Sequence, residues 1–146
     1  MTLTELRQIA AATSVLCQTH VYKLFQGCQV RADVYRAPAG EQPSPAIMFI
    51  HGGALIMGSR RWLNPTQADA FCRAGYIVVA VDYRLAPETK LPAIIEDVQD
   101  AYRWLREGGP SLFGIDAQRI AVMGASAGGY LTLMNGAGVG LRWHPQ

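Results

Sequence analysis

A serine surrounded by small residues is the part of this sequence with the plainest capacity for chemistry. Ser126 lies in GASAGG, residues 124–129, which contains the pattern G-x-S-x-G. The apolar run at 120–123 predicts a buried strand, and apolar residues at helical spacing follow a few positions later. A strand-to-helix turn this short strains the serine backbone and lifts the hydroxyl above the sheet, as in a nucleophile elbow. Gly124 and Gly128 lack Cβ atoms and would let the strand and the helix pass close to the turn.

A second interpretation of the same residues is a glycine-rich turn that binds phosphate. The sequence GASAGG does not match the P-loop pattern G-x-x-x-x-G-K-[ST], and no lysine follows it in the chain. It also differs from the G-x-G-x-x-G pattern of dinucleotide-binding turns. The nucleophile elbow is therefore the favoured interpretation, and we expect no cofactor and no metal site.

A second short motif, His51-Gly52-Gly53-Ala54, follows an apolar run at 46–50 that predicts another buried strand. Its small residues leave backbone N–H groups accessible to a substrate oxygen. Together with the amide of Ala127, these N–H groups could stabilise the oxyanion of a tetrahedral intermediate. Taken alone, the paired glycines are more typical of an ordinary tight turn. A serine elbow at a neighbouring strand end favours the oxyanion hole instead.

The rest of the chain supplies alternating strands and helices that would position these motifs. Ligands of parallel α/β sheets bind beyond the carboxyl ends of the strands, where both motifs would lie. We therefore predict an α/β fold with a mostly parallel, twisted sheet and flanking helices. The predicted segments are an N-terminal helical segment at 1–20, then a core at 21–137 with strands at 21–25, 29–35, 46–50, 76–81 and 120–123, helices at 64–74, 92–107 (closed by Gly108-Gly109-Pro110) and 127–137, and an irregular tail at 138–146.

Composition excludes several classes of protein. The 146 residues fit one domain, and a content of 50% hydrophobic and 16% charged residues is globular. The net charge of +2 comes without a basic run, so no nucleic-acid partner is expected. No apolar stretch approaches the roughly 20 residues of a membrane span, and the N-terminus lacks a signal-peptide layout. Cys17, Cys28 and Cys72 are predicted to be reduced thiols of a cytoplasmic protein.

Three motifs together carry a resemblance to a known family. The segments 51–54 (HGGA), 82–88 (DYRLAPE) and 124–129 (GASAGG) resemble, in order and spacing, the α/β-hydrolase fold enzymes of the hormone-sensitive-lipase-like esterase and carboxylesterase group. The resemblance covers about residues 20–137 and implies hydrolysis of small-molecule carboxylic esters through an acyl-enzyme. It implies Ser126 as nucleophile, Gly53, Ala54 and Ala127 as oxyanion amides, and His51, Gly52, Gly124 and Gly128 as supporting loop residues. The sequence departs from the family at Ala54, where a third glycine is common, and at Ala125, where many members have Asp.

The proton-transferring partners of such a serine are missing from the sequence. In α/β-hydrolases an Asp or Glu and then a His follow the nucleophile. The twenty residues after Ser126 contain no Asp or Glu and one histidine, His144, which a helix over 127–137 would carry about 16 Å away. The resemblance also implies about eight strands, of which five are predicted. We therefore expect residues 1–146 to form a single partial α/β-hydrolase domain, the N-terminal half of an esterase, with little or no activity alone.

Two alternatives stay open at this point. The uncovered edge of the fifth strand favours self-association or binding of a complementing C-terminal half, and the chain would then be a non-catalytic remnant or interaction module. The same fold could also hydrolyse amides or formamides, which these residues do not distinguish from esters.

Overall fold

The computed structural model describes residues 1–5, 14–38 and 42–137. Its strands are β1 (Leu16–Phe25), β2 (Cys28–Arg36), β3 (Ser44–Ile50), β4 (Ile77–Val81) and β5 (Ile115–Gly124). Its helices are α1 (Pro65–Arg73), α2 (Leu91–Phe113) and α3 (Ala127–Ala137), with one 3₁₀ turn at Arg60–Trp62. None of the helices in these ranges is long and apolar enough to cross a membrane.

The strands of the described residues form one five-stranded sheet in the order β1-β2-β4-β3-β5. β3 pairs in parallel with β4 on one side and with β5 on the other. β2 pairs antiparallel with both β1 and β4, so it alone runs against the other four strands. The predicted α/β class and mostly parallel sheet are confirmed. The loops that follow β3, β4 and β5 consequently leave the sheet at the same end, beyond the carboxyl ends of these strands.

The core lies on both faces of the sheet, as expected for strands covered by helices. One face carries Met48, Ile50 and Val79, which pack with residues of α2 and α3 such as Leu105 and Leu131. The other face carries Phe49, Val78 and Ala80, which pack with Leu63, Ala68 and Cys72 around α1. The alternation within β3 and β4 follows from the two-residue period of a strand. The continuous apolar runs thus have a partner layer on each side.

The predicted helical segment at 1–20 is wrong at its carboxyl end. Residues 16–20 begin β1, whose hairpin partner β2 extends from Cys28 to Arg36. The turn between them uses Gln26 and Gly27 at φ of 47° and 80°, which is typical of two-residue hairpins. Residues 3–5 are helical, and 6–13 lie outside the described residues, as does the predicted tail at 138–146. Cross-strand pairing overrides the weak helical pattern of 16–20.

The second helix continues past its predicted end. Gly108, Gly109 and Pro110 were expected to close it near 107, but α2 extends to Phe113. Leu105, Gly109 and Phe113 are buried on one face at helical spacing, and a Cβ on Gly109 would lie only 3.2 Å from Ile115 Cδ1. Tertiary packing therefore sustains a helix that local propensity would end. Gly114, left-handed at φ 70°, terminates it.

Two buried ion clusters hold the segments that follow β3 and β4. Arg60 Nε lies 2.8 Å from Asp33, and its Nη1 lies 2.7 Å from Asp82 just after β4. Asp97 of α2 is fully buried and accepts hydrogen bonds from the Arg84 backbone and side chain at 2.7–3.0 Å. Lys23 of β1 also contacts Asp97, at 2.8 Å. The two clusters thus fix Asp82 and Arg84 at the start of the loop after β4.

Burial alone would raise the pKa of Asp97, but hydrogen bonds from Arg84 and Lys23 outweigh it and lower that pKa. We expect Asp97→Asn to reduce the free energy of unfolding by about 3–5 kcal/mol at neutral pH, because two cations lose their buried partner. A carboxyl whose folded pKa is lowered stabilises the fold above its unfolded pKa, about 3.9. The stability difference between parent and variant should therefore shrink as the pH falls below that value. Urea unfolding followed by circular dichroism measures it.

The matched control for that experiment is Asp69→Asn. Asp69 forms an exposed ion pair with Arg73 on α1, so its loss should change the stability by no more than about 0.5 kcal/mol. Equal losses for the two variants would contradict the role given to the buried cluster.

Candidate active site

The serine elbow, residues 124–128, is an abrupt strand-to-helix turn. β5 ends at Gly124 and α3 begins at Ala127, which leaves two residues between them. Ser126 has φ of 54°, a left-handed conformation that is uncommon for a residue with a side chain. Its carbonyl accepts hydrogen bonds from the amides of Gly129 and Tyr130, at 2.8 and 3.2 Å. The predicted strand, turn and helix are all present, and Ser126 is exposed at the turn.

Two glycines allow the backbone to approach this closely. A Cβ on Gly124 would lie 2.1 Å from the Gly128 carbonyl oxygen. A Cβ on Gly128 would lie 2.0 Å from the carbonyl oxygen of Ile50, the last residue of β3. Both distances are far below van der Waals contact. Both contacted atoms are backbone carbonyl oxygens, which cannot rotate away as a flexible side chain could. The N-terminus of α3 is therefore packed directly on the end of β3, next to the loop that follows it.

The HGGA loop, residues 51–58, lies against the serine elbow. A Cβ on Gly52 would be 3.3 Å from Ser126 Cβ and 2.8 Å from the Ala125 carbonyl oxygen. The amide of Ala125 donates to the Ile50 carbonyl at 3.4 Å. Two motifs that are distant in sequence are thus adjacent at the carboxyl edge of the sheet.

The HGGA loop turns through three successive residues with positive φ. Gly53, Ala54 and Leu55 have φ of 110°, 54° and 67°. The left-handed region costs a non-glycine residue roughly 1–2 kcal/mol, so Ala54 and Leu55 store strain at the predicted site. The position of Ala54, where glycine is common in the resembling family, is one at which glycine would adopt this conformation freely. Ala54 keeps the backbone N–H that the predicted role requires.

The carbonyl partners of this region determine where its amides point. In a trans peptide the C=O and the following N–H point in opposite directions. The Gly52 carbonyl lies 2.6 Å from His51 Nδ1, and the Gly53 carbonyl accepts the amides of two later loop residues at 3.0 Å each. The N–H groups of Gly53 and Ala54 consequently face away from those bonds, and that of Ala127 faces away from the bonded Ser126 carbonyl. Within the described part of the chain, none of the three N–H groups donates a hydrogen bond.

His51 is buried, with 1% of its surface exposed. Its ring stacks on Tyr83 at a centroid distance of 4.2 Å and an angle of 9°. Burial lowers the pKa of His51 despite the nearby Gly52 carbonyl and Asp82, and so favours the neutral imidazole. Its Nδ1 is bonded to the loop, and its Nε2 has no hydrogen-bond partner among the described residues. This geometry suits a brace for the loop and does not suit a base for Ser126.

The described residues bring no proton acceptor to Ser126. His20 packs against the ring of Phe113, at 4.9 Å, on the α2 side of the sheet, and His144 lies outside the described residues. No side-chain hydrogen bond to the Ser126 hydroxyl forms within residues 14–38 and 42–137. In the same ranges, no three His, Cys, Asp or Glu side chains cluster closely enough to hold a metal ion.

Sequence reasoning did not single out Tyr83, which is 4% exposed and lies directly under the HGGA loop. Its hydroxyl donates to the carbonyl of His51 at 2.9 Å and lies 3.4 Å from that of Gly52. The available signal was its place between two charged residues in DYRLAPE.

Nearby, an open cleft of about 680 Å³ separates the β1–β2 turn from the loop after β4, and Ser126 is not among its lining residues.

The fold and this strand-to-helix turn define the class of α/β hydrolases, and comparison with solved structures agrees. The chain superimposes on the bacterial heroin esterase with a TM-score of 0.76 and 29% sequence identity. The superposition covers 94% of this chain and 46% of the heroin esterase. The chain therefore spans about half of that enzyme.

The chain is also similar to an ester hydrolase and to a small part of a polyketide synthase. The ethyl acetate hydrolase of Pseudomonas putida is 41% identical over 100 residues, which are 67% of this chain and 31% of that hydrolase. The non-reducing polyketide synthase Preu6 of Preussia isomera is 36% identical over 136 residues, 88% of this chain but 6% of the synthase. The BD-FAE family model matches residues 32–141, which include both motifs of the site. The chain belongs to the BD-FAE family of α/β hydrolases, and its esterase relatives support ester hydrolysis at the level of the family.

We expect Gly128→Ala to lower the free energy of unfolding by about 3 kcal/mol, because the new methyl group would overlap the Ile50 carbonyl and force α3 off β3. Gly136→Ala on the same helix is the control, since a Cβ there meets nothing within 4 Å. This control should leave the stability unchanged or raise it by about 0.5–1 kcal/mol. Urea unfolding of both variants measures the difference. Equal free energies of unfolding for the two variants would show that the close approach of Gly128 to the Ile50 carbonyl does not constrain the fold.

Proposed function

We propose that Ser126 is the nucleophile of a carboxylic-ester hydrolase that works through an acyl-enzyme. Ser126 Oγ bonds to the ester carbonyl carbon while its proton passes to a base, and the carbonyl oxygen becomes an oxyanion. The alcohol leaves with a proton, and water then cleaves the acyl-serine bond to release the acid. The N–H groups of Gly53, Ala54 and Ala127 stabilise the oxyanion. His51, Gly52, Gly124 and Gly128 support the loops that carry these groups.

One observation carries this proposal: the strained, exposed Ser126 lies against a loop with two N–H groups that no described residue uses. Unpaired backbone donors are rare in a folded chain unless water or a ligand satisfies them. The N-terminus of α3 adds a positive dipole end at the same place. The names of two relatives agree with this proposal, since one is an ethyl acetate hydrolase and the other a heroin esterase. We propose a small-molecule ester as the substrate.

We further propose that the acid and the His of the triad are contributed from outside these 146 residues. The absence of a proton acceptor near Ser126 among the described residues supports this, as does the greater length of the esterase relatives. A serine hydroxyl without its base is a weak nucleophile, although the oxyanion hole and substrate binding still assist its attack. The chain alone should therefore act weakly, and only on activated esters.

The outer edge of β5 favours a partner for this chain. β5 is the last strand of the sheet order, and its second half, residues 120–124, carries no charged side chain, whereas Asp116 and Arg119 in its first half pair with each other. Charged residues commonly protect an exposed edge strand, so the uncharged second half of β5 suits pairing with another segment. We propose a complementing C-terminal half as this partner, within a reducing, cytoplasmic setting that agrees with the free thiols of Cys17, Cys28 and Cys72.

The nucleophile is tested with p-nitrophenyl acetate, an activated ester. We expect the purified chain to release p-nitrophenol faster than its Ser126→Ala variant, because only the parent can form the acyl-serine. Ser111→Ala, which removes an exposed helical hydroxyl bonded to its own helix, should keep the parental rate. Equal rates for the parent and Ser126→Ala would remove nucleophilic catalysis from the chain.

The edge proposal is tested by light scattering over a range of concentrations. Because no described strand covers the outer edge of β5, the isolated chain should associate as its concentration rises. A separately expressed C-terminal half of an esterase relative should reverse that association by occupying the edge. A monomer at every concentration that also fails to bind the C-terminal half would exclude this surface as an interface.

A further inference from the structure

We propose that Tyr83 is a positioning residue for the oxyanion hole, acting through His51 and the carbonyl groups of the HGGA loop. The inference rests on the proposed function for its catalytic meaning. Its structural content, that one buried phenol sets the orientation of the loop peptides, can be tested independently.

Tyr83 is held in place on both sides by the buried ion clusters. The residue before it, Asp82, bonds the backbone and side chain of Arg60 at 2.7 Å each. The residue after it, Arg84, is bonded through its backbone and its guanidinium to Asp97. With both neighbours fixed and its own side chain buried, the phenol has little freedom to move away from the loop above it.

The phenol contacts the HGGA loop in two ways. Its ring lies flat against the imidazole of His51, which keeps that ring in the plane from which Nδ1 reaches the Gly52 carbonyl. Its hydroxyl donates to the His51 carbonyl at 2.9 Å and approaches the Gly52 carbonyl at 3.4 Å. Two successive carbonyl groups are thereby drawn to the protein side of the loop.

The consequence for chemistry follows from the planarity of the peptide bond. Because the Gly52 carbonyl is fixed toward His51 and Tyr83, the N–H of Gly53 in the same peptide must face the opposite way. Oxyanion stabilisation depends on donors that are already oriented before the charge develops. Burial raises the pKa of Tyr83 to about 12, so the hydroxyl keeps its proton, and hence its role as donor, throughout the neutral range.

Tyr83→Phe is the decisive variant, because it keeps the ring stack and removes only the hydroxyl. We expect the backbone ¹H–¹⁵N signals of Gly53 and Ala54, and the side-chain ¹⁵N signals of His51, to shift or split as the loop peptides lose their fixed orientation. Tyr22→Phe is the control. The Tyr22 hydroxyl also donates to a backbone carbonyl, that of Asp82 at 2.5 Å. Tyr22→Phe therefore loosens the loop after β4, which carries Tyr83, without removing a contact to His51.

The Tyr22 variant should lower the urea midpoint as Tyr83→Phe does, yet leave the Gly53, Ala54 and His51 signals in place. Unchanged signals in Tyr83→Phe would overturn the proposal. So would equal changes in both variants, since the effect would then be a general loosening of the loop.

A second experiment measures the rate at which the same two variants hydrolyse p-nitrophenyl acetate. The rate of Ser126→Ala is subtracted from each. We expect Tyr83→Phe to lower the Ser126-dependent rate constant by about threefold to tenfold, the worth of one hydrogen bond, with KM nearly unchanged. Tyr22→Phe should keep the parental rate constant. A Tyr83→Phe rate equal to the parental rate would overturn the positioning role. If the parent shows no Ser126-dependent rate, the proposed function fails, and the amide signals still decide what Tyr83 does to the loop.

Discussion

The close contact between Gly128 and the carbonyl of Ile50 is the constraint from which the geometry of the site follows. α3 begins directly after β5 and rests on the end of the neighbouring strand β3. This is possible only where no Cβ lies between the helix and the strand. This contact brings the serine elbow to the HGGA loop. The left-handed conformation of Ser126 is a consequence, because the chain must change direction within two residues. The strain is local, while the packing that imposes it involves three elements of the fold.

A second layer of interactions fixes the loop opposite Ser126. The ion clusters around Arg60 and Asp97 cost desolvation, and buried ion pairs are weak evidence for stability as such. Their positions indicate another role: each one holds a residue next to Tyr83, and Tyr83 in turn contacts His51. Charged residues of β1, β2 and α2 therefore support the HGGA loop indirectly, because the loop segment they fix carries Tyr83, which stacks on His51. A rigid support of this kind suits a site whose donors must be oriented in advance.

Membership in the BD-FAE family, with esterase relatives, gives the arrangement its chemical context. Within it, the proposed roles divide naturally: the described residues offer a nucleophile and N–H donors, while the proton-transferring pair is proposed to come from elsewhere. The outer edge of β5 lies at the end of the sheet order, and the uncharged second half of this strand, residues 120–124, leads directly to Ser126. A segment that pairs there would extend the sheet on the side of the elbow, where a base for the serine would be needed.

Local sequence patterns were enough to predict the α/β class, the strands around Met48 and Val79, and the turn at Ser126, because strand periodicity and glycine at a sharp turn are properties of a few adjacent residues. They failed where distant partners decide: residues 16–20 became a strand through pairing with β2, and α2 continued through Pro110 because its buried face packs on β5. The proposed site divides in the same way. The sequence by itself determined which residues carry a hydroxyl or an unhindered amide. Only the tertiary structure decided that Tyr83 supports the loop, and which way each N–H points, because these depend on contacts between segments far apart in the chain.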